Sequence, residues 1–460
     1  MQRLATSPAV SVRGTHISAP SAVLRQSAMI LTLAYCAVLL VWFCQQPLPA
    51  LQDYGEWVFQ GWAMGRYLAG DAVFHARYIL NLFPVPNLAS QWLIALTSVL
   101  IGPFLAAKVL VAAYCVTAVA ICWKAAKTFA VHRPAATFIC LLSLVAFNAC
   151  FWHGYMNYQL GLMALLWYLQ ASHGKRFSPA AMLGISCVMY ACHASTWLAL
   201  VLLVAVTDRF RADRLKVALA FVPTAGLFAA YVLRSHTVGG AATHSMGLLS
   251  FVAYKCYTLA KTGPFHNLVD ARGVAANAIP GIYYAGVLLN LLFAGGLLLC
   301  LAIGLRRVWR NHTTRRLLPF WGILFLLFVL MPSDLREVVN LGERFLYILL
   351  LSLLLAVGSS VWLERLSLAV VAGFLLTAVQ IPRASIGNMQ ATEAVTHEPE
   401  ASGRAYSADG LFSHRLYQND ERRIEMRDHA TDFVPLLFDT SVLRERDPLR
   451  KRNSDPVPSR

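Results

Sequence analysis

Long apolar runs recur along most of the chain, separated by short polar segments that are often basic. Runs of roughly 20 apolar residues are typical of helices that cross a bilayer. A transmembrane barrel would instead alternate apolar and polar residues in segments of about ten, and no such alternation is present in the sequence. The pattern therefore predicts an all-α polytopic membrane protein.

Eleven of the apolar runs predict transmembrane helices, several of them shorter than the ~20 residues of a full crossing. They cover approximately 27–44, 104–123, 135–151, 158–171, 180–192, 195–207, 215–233, 279–305, 317–331, 345–362 and 366–380. Their short lengths leave room for a water-filled cavity at the outer ends. A break at His193 favours a hairpin over a single kinked helix in 180–207, because one helix would invert the sidedness of every later loop.

The segment 88–101 is also apolar, but at 1.5 Å per residue its ~14 residues extend only about 21 Å, less than a ~30 Å hydrocarbon core. If it does not cross, the basic loops all lie on one side, as the positive-inside rule requires. The chain then has its amino end inside and its carboxyl end outside. The residues that decide this are Lys124, Lys127, Arg133, Lys175, Arg176, Arg209, Arg211, Arg214, Arg306, Arg307, Arg310, Arg315 and Arg316.

Composition agrees with a membrane protein, since 58% of the residues are hydrophobic and 13% are charged, against about 25% charged in soluble domains. The net charge of +16 comes mostly from short loops that face anionic lipid, and no base-reading motif accompanies it, so nucleic acid is not an expected partner. Nine of the ten cysteines lie in or beside apolar segments, with no CxxC pair or Cys/His metal spacing. Neither disulfides nor a metal centre built from these residues is predicted.

The chain divides into three parts. Residues 1–26 form a cytoplasmic arm, 27–381 a transmembrane bundle, and 382–460 a flexible tail of mixed charge that is expected outside. Leu48-Pro49-Ala50 loosely matches a signal cleavage site, but the preceding apolar run is longer than the ~7–15 residues of a signal core, which favours an uncleaved first span. The short loops favour a bacterial inner membrane.

Polar residues in the outer loops are not explained by topology. The first outer loop carries Asp53 and Glu56 at the start of a predicted interfacial helix, 54–68, in which Gly61 and Gly65 share a face. A second interfacial helix is predicted over 250–261. The outer polar set comprises Asp53, Glu56, His75, Arg77, His153, Asn157, His193, Arg234, His236, His244, Lys255, Lys261, His266, Asp334, Arg336, Glu337, Glu343 and Arg344.

The order of these features resembles the GT-C superfamily of polyprenyl-phosphate-sugar glycosyltransferases, which includes the protein O-mannosyltransferases and the aminoarabinose transferases. Asp53 follows a first span and starts an interfacial helix. Phe83-Pro-Val-Pro-Asn-Leu88 stands where many members have His-Pro-Pro-Leu, and Ile101-Gly-Pro103 with Ala106 and Lys108 leads into the next span. The resemblance covers roughly 27–235. The His of the family motif is absent here, and Asp53-Tyr-Gly-Glu56 replaces the Asp-Glu pair of the mannosyl branch.

The resemblance implies a GT-C-like bundle of about eleven transmembrane helices, with juxtamembrane helices in the first outer loop. It implies inverting sugar transfer from a polyprenyl-phosphate donor to an acceptor on the periplasmic side. Asp53 would be the catalytic base, and Glu56 would assist it, bind the acceptor or help to hold a divalent cation. The phosphate would lie near cations and polar groups in later loops: Arg77, His193, Arg234, Lys255, Lys261, Arg336 and Arg344. Neither the sugar nor the acceptor is specified.

Structural alternatives stay open beside these roles. Asp53 and Glu56 have the spacing of a capping box, Asn157 has the position of a helix cap, His193 suits a structural histidine, and Glu343 with Arg344 suits an ion pair at a helix start. At the level of the whole chain, a transporter of lipid-linked glycans would instead need broken helices in matching halves. A non-catalytic scaffold would depend on its tail after Pro382.

Overall fold

The structure is a computed structural model. It describes residues 22–45, 49, 51, 54–72, 75, 78–80, 84–130, 132–208, 213–237, 247–266, 282–310, 312–332, 334–335, 338–339, 341–358, 360–378 and 443–445. Most of this part of the chain is helical, as the apolar pattern predicts.

The first half contains nine helices within the described ranges. They are α1 (Ala22–Gln45), α2 (Tyr54–Leu68), α3 (Ala89–Ile101), α4 (Pro103–Phe129), α5 (Pro134–Leu141), α6 (Ala149–Trp152), α7 (Met156–Ala171), α8 (Pro179–Cys192) and α9 (Ala194–Asp208). A π-helical turn, Leu142–Ala146, continues α5.

The second half contains α10 (Arg214–Leu219), α11 (Val222–Thr237), α12 (Leu248–Ala260), α13 (Ile282–Arg310), α14 (His312–Arg315), α15 (Leu318–Leu330), α16 (Leu341–Val357) and α17 (Val361–Ala378). The short strands β2 (Asp334–Leu335) and β3 (Val338–Val339) pair before α16. A tail strand, β4 (Leu443–Glu445), pairs antiparallel with β1 (Tyr78–Leu80). This pairing brings part of the tail to the first predicted outer loop.

Four helices of the described part are long and apolar enough to cross a membrane by length and composition: Ala22–Gln45, Pro103–Phe129, Tyr284–Arg306 and Val361–Ala378. The length and composition of these helices are those of an integral membrane protein. Helices also occupy the other seven predicted spans, but they are shorter. Their crossing of the bilayer stays a prediction.

The predicted break at His193 is confirmed. His193 has an extended backbone (φ −165°, ψ 134°) between α8 and α9, and the Nε1 atom of Trp197 donates to Ser186 Oγ at 3.0 Å. Eleven residues of continuous helix would hold those two positions roughly 16 Å apart. The two helices therefore fold back on each other as a hairpin.

The predicted span 135–151 is not one regular helix. The π-helical turn ends at Ala146, and Asn148 then caps α6, its Oδ1 accepting from the Phe151 amide at 3.0 Å. Its Nδ2 donates to the Leu144 carbonyl at 3.0 Å. A single side chain thus satisfies a helix end and a helix start inside the bundle, which lets the chain change direction before His153.

A buried carboxylate joins three segments at one end of the bundle. At the end where α1 begins, the buried Glu364 carboxylate accepts from Arg25 NH1 at 3.2 Å and from Arg133 NH1 at 2.7 Å. These residues come from three segments that the topology assigns to the inner side. Their contact places those segments together, as that topology requires.

Candidate functional site

Four side chains form a buried group at the opposite end of the bundle. We call His193, Lys261, Glu343 and Arg344 the basic cluster. His193 lies between α8 and α9, Lys261 follows α12, and Glu343 and Arg344 lie in the first turn of α16. Each is at most 8% exposed. Segments that are distant in sequence therefore converge on the start of one helix.

Within the basic cluster, Lys261 and Glu343 neutralise each other. Lys261 Nζ lies 2.8 Å from Glu343 Oε2. The hydroxyl of Tyr347 donates to Glu343 Oε1 at 3.4 Å and accepts from the Ala149 amide at 3.3 Å. Burial acts to lower the pKa of Lys261, but the Glu343 carboxylate outweighs burial and the pKa is raised. Lys261 is therefore a charged ammonium whose charge is already balanced.

Arg344 is paired with a neutral acceptor. Its NH1 lies 2.9 Å from His193 Nε2, and a guanidinium can only donate hydrogen bonds. His193 Nδ1 accepts from the Ser195 amide at 3.1 Å and lies 2.8 Å from Ser195 Oγ, so both ring nitrogens are engaged. Burial, reinforced by Arg344, holds the pKa of His193 well below its usual value. Arg344 thus keeps its full charge, and its Nε is buried with no hydrogen-bond partner among the described residues.

Three rings extend the site away from Arg344. The Arg344 guanidinium lies 5.0 Å from the Tyr155 ring centre, Tyr155 lies 5.5 Å from His153, and His153 lies 4.7 Å from His266. His266 is 3% exposed, and its Nδ1 has no hydrogen-bond partner in the described part of the chain. Burial, together with Lys261, lowers the pKa of His266 to about 3, so the ring is neutral at physiological pH.

Aromatic contacts place the basic cluster at the end of the bundle where α1 finishes. Phe43, near the end of α1, packs edge-on against Phe151 and lies 6.1 Å from Trp152. Trp152 Nε1 donates to the Pro264 carbonyl at 3.1 Å, two residues before His266. Phe43 is 18 residues from Arg25, or roughly 27 Å along the helix. α1 ends here, and Asp53 follows in the sequence eight residues after its last residue, Gln45.

The segment before α3 is fixed beside His193. Asn87 has φ 70°, a left-handed conformation that asparagine tolerates, and its Oδ1 accepts from the Ala194 amide at 3.1 Å. Leu88 donates its amide to the Ala191 carbonyl at 2.8 Å. The Pro84–Asn87 segment that carries part of the family resemblance therefore packs against the α8–α9 turn.

Asn157 anchors the start of α3. Its Oδ1 accepts from the Ser90 amide at 2.7 Å, and its Nδ2 donates to the Asn87 carbonyl at 2.6 Å and to Gln91 Oε1 at 2.8 Å. The interpretation of Asn157 as the cap of its own helix is therefore wrong. The residue joins α7 to α3.

The predicted phosphate-binding residues have different outcomes. His193, Lys261 and Arg344 come together in the basic cluster. Lys255 does not contribute its ammonium to it, because Nζ donates to the carbonyls of Phe328 and Met331 at 2.6 Å each. There it caps the carboxyl end of α15, so its assignment to a phosphate site is not supported by its contacts.

The remaining predicted residues are not described at the level of their side chains. Asp53, Arg77 and Arg336 lie outside the described residues, as do the side chains of Glu56 and Arg234.

Glu343 and Arg344, interpreted from sequence as an ion pair at a helix start, instead contact Lys261 and His193, respectively. Among the described residues, no group of three or more His, Cys, Asp or Glu could hold a metal ion. The divalent cation predicted near Glu56 is not tested by this, because the Glu56 side chain lies outside the described residues.

Sequence reasoning did not select His266, His153 or Tyr155 as site residues. Both histidines belong to the outer polar set, but no spacing links residues more than 100 positions apart. Their sole sequence signal is a position in predicted outer loops. Nothing in the sequence marks Tyr155 as a site residue, since tyrosines are common near membrane interfaces.

No family model, curated protein or solved structure matches this chain. The likeness to GT-C transferases therefore rests on the residues quoted for it. Function has to be argued from the chemistry of the site.

Proposed function

We propose that this chain is an inverting glycosyltransferase of GT-C type, which moves a sugar from a polyprenyl-phosphate donor to an acceptor at the outer membrane face. The observation that supports this most is the basic cluster. It holds the buried Arg344 guanidinium, whose charge no carboxylate among the described residues pairs with, at the end of the bundle where α1 finishes. A lipid-linked phosphate is an anion delivered at membrane depth, which suits such a site.

The charge balance of the basic cluster favours an anionic ligand. Lys261 and Glu343 cancel, His193 is neutral, and Arg344 is left with a charge that none of these three neutralises. Burying an ion without a counter-charge is costly, and a bound phosphate would offset that cost. Arginine forms strong, directional hydrogen bonds to phosphate oxygens, and the buried Nε of Arg344 supplies a donor.

The proposed reaction is one in-line displacement. The acceptor's oxygen or nitrogen attacks the anomeric carbon, the bond from that carbon to the phosphate oxygen breaks, and the Asp53 carboxylate takes the acceptor's proton. The bonding electrons leave with polyprenyl phosphate, whose charge Arg344 stabilises. The leaving group is a stable anion, so no general acid is needed. The configuration at the anomeric carbon inverts.

The test is sugar transfer by the purified protein in nanodiscs, with a panel of polyprenyl-phosphate sugars. Asp53→Asn should reduce the rate by about 10²–10⁴-fold, the range typical of a lost general base. Asp213→Asn, in the predicted inner loop before α10, is the matched control and should retain activity. Transfer by Asp53→Asn at the wild-type rate would remove Asp53 as the base. A transporter would carry the lipid across the membrane with the sugar–phosphate bond intact.

A further inference from the structure

We propose that His266 recognises the uncharged, hydroxyl-bearing part of a ligand whose phosphate is held by Arg344. This inference rests on the proposed function and adds to it a specificity residue outside the predicted set. The ligand class is a sugar joined to a single phosphate. The juxtaposition that carries it is a buried cation and a buried neutral imidazole with an unpartnered nitrogen, at the two ends of one continuous wall of contacting residues.

The wall is continuous because each residue contacts the next. The Arg344 guanidinium contacts Tyr155, Tyr155 stacks on His153, and His153 contacts His266. Both Tyr155 and His153 are only half-buried. The two rings in the middle of the wall are therefore less buried than Arg344 and His266 at its ends.

The two ends of the wall offer different chemistry. Arg344 presents a charged donor in Nε, and His266 presents Nδ1 of a neutral ring, each without a hydrogen-bond partner among the described residues. Buried polar atoms are rarely left unpaired in folded proteins. A ligand that satisfies both must be anionic at one end and polar but uncharged at the other.

A sugar monophosphate has that distribution. Its phosphate matches Arg344, and its hydroxyls both donate and accept, as a neutral imidazole requires. A pyrophosphate would place a second charge further along the wall. Lys261, the other cation of the basic cluster, is already paired with Glu343 at 2.8 Å. The arrangement therefore favours donors with one phosphate.

The inference can be tested with soluble probes by saturation-transfer NMR on the protein in nanodiscs. Methyl phosphate reports on the anion end alone, while glucose, mannose and galactose 1-phosphates report on both ends. At least one hexose 1-phosphate should bind about tenfold more tightly than methyl phosphate, the gain expected of one or two good hydrogen bonds. Equal affinity for methyl phosphate and all three sugars would overturn the inference and leave the anion site standing. If none of the probes binds, both the inference about His266 and the anion site at Arg344 are overturned.

Variants separate the two ends. His266→Phe should remove the tenfold preference for the hexose 1-phosphate and leave methyl phosphate binding unchanged, whereas Arg344→Gln should weaken both probes. His266→Gln keeps a hydrogen-bonding group and should retain part of the preference. If His266→Phe fails to fold, His266→Gln decides, because an unchanged ratio of the two affinities would overturn the proposal. The matched control is His173→Gln, between α7 and α8, which should change neither affinity.

Discussion

At the residue scale, the two cations of the basic cluster have partners of different charge. Lys261 contacts the Glu343 carboxylate, while Arg344 contacts the His193 imidazole, which burial keeps neutral. His193 is therefore better described as a positioning residue than as the direct phosphate ligand expected from sequence, because both of its ring nitrogens are engaged.

Lys261→Met should destabilise the protein strongly, since it leaves the Glu343 carboxylate buried without its cation. The loss of unfolding free energy should be about 3–5 kcal/mol, as for other broken buried pairs. Lys261→Met/Glu343→Leu removes both charges and should recover most of that loss. Denaturant unfolding in detergent micelles measures both values, and equal destabilisation of the single and double variants would contradict the pairing.

Stability should also fall in mild acid because of the buried histidines. The folded-state pKa of His266 is about 3 and its ordinary value is 6.5. Above pH 6.5 both states are neutral, and between pH 6.5 and 3 only the unfolded state binds the proton. The free energy of unfolding therefore decreases by up to about 1.4 kcal/mol per pH unit for each such histidine. His266→Gln should show a shallower decline in melting temperature between pH 7 and 5, and an unchanged slope would contradict the assignment.

At the element scale, α2 and α3 pack through glycines. A Cβ on Gly61 would lie 2.7 Å from Ile94 Cβ, and one on Gly65 would lie 2.7 Å from the Ala95 carbonyl oxygen. The sequence prediction that these glycines share a face is confirmed, and that face packs closely on α3. Their helix, α2, begins one residue after Asp53 in the sequence.

Gly65→Ala should therefore destabilise the protein by about 1–3 kcal/mol, the usual cost of overpacking. Gly184 in α8 is the matched control, because a Cβ there meets nothing within 4 Å. Gly184→Ala should be neutral or slightly stabilising through helix propensity. Thermal unfolding of the two variants side by side gives the comparison, and equal effects would contradict close packing at Gly65.

The helices could be predicted from sequence because apolar periodicity and length determine them locally. The α8–α9 hairpin followed from sidedness alone. The interruption of span 135–151 could not be predicted, because it depends on Asn148 bonding to the backbone of the helix that ends and of the helix that begins there. The pairing of Lys261 with Glu343 and of His193 with Arg344 could not be predicted either, since each joins residues from separate helices through tertiary packing.

At the scale of the whole molecule, each end of the bundle carries a buried glutamate paired with a basic residue, but the remaining contacts differ. The end near Arg25 is held by Glu364, an acid shared by two arginines. The other end holds the basic cluster and the start of α3. In the basic cluster Arg344 contacts a histidine instead of the carboxylate, and this difference agrees with the proposed anion site at that end.

Topology mapping tests that orientation. A reporter fused after Ala278 should report an extracytoplasmic position, and one fused after Arg310 a cytoplasmic one, because α13 crosses between them. Fusion after Lys127 should also report the cytoplasm. A cytoplasmic signal after Ala278 would place the basic cluster on the wrong side for a periplasmic donor.

The central claim is that the basic cluster binds the phosphate of a polyprenyl lipid through Arg344. The most direct test is binding of radiolabelled undecaprenyl phosphate to the purified protein in nanodiscs, compared for wild type, Arg344→Gln and Arg365→Gln. Arg365 lies at the opposite end of the bundle, is exposed and is the matched control. We expect Arg344→Gln to lose at least about tenfold in affinity, or roughly 1.4 kcal/mol, while Arg365→Gln binds as wild type. Equal binding by all three proteins, or none by the wild type, would contradict the claim.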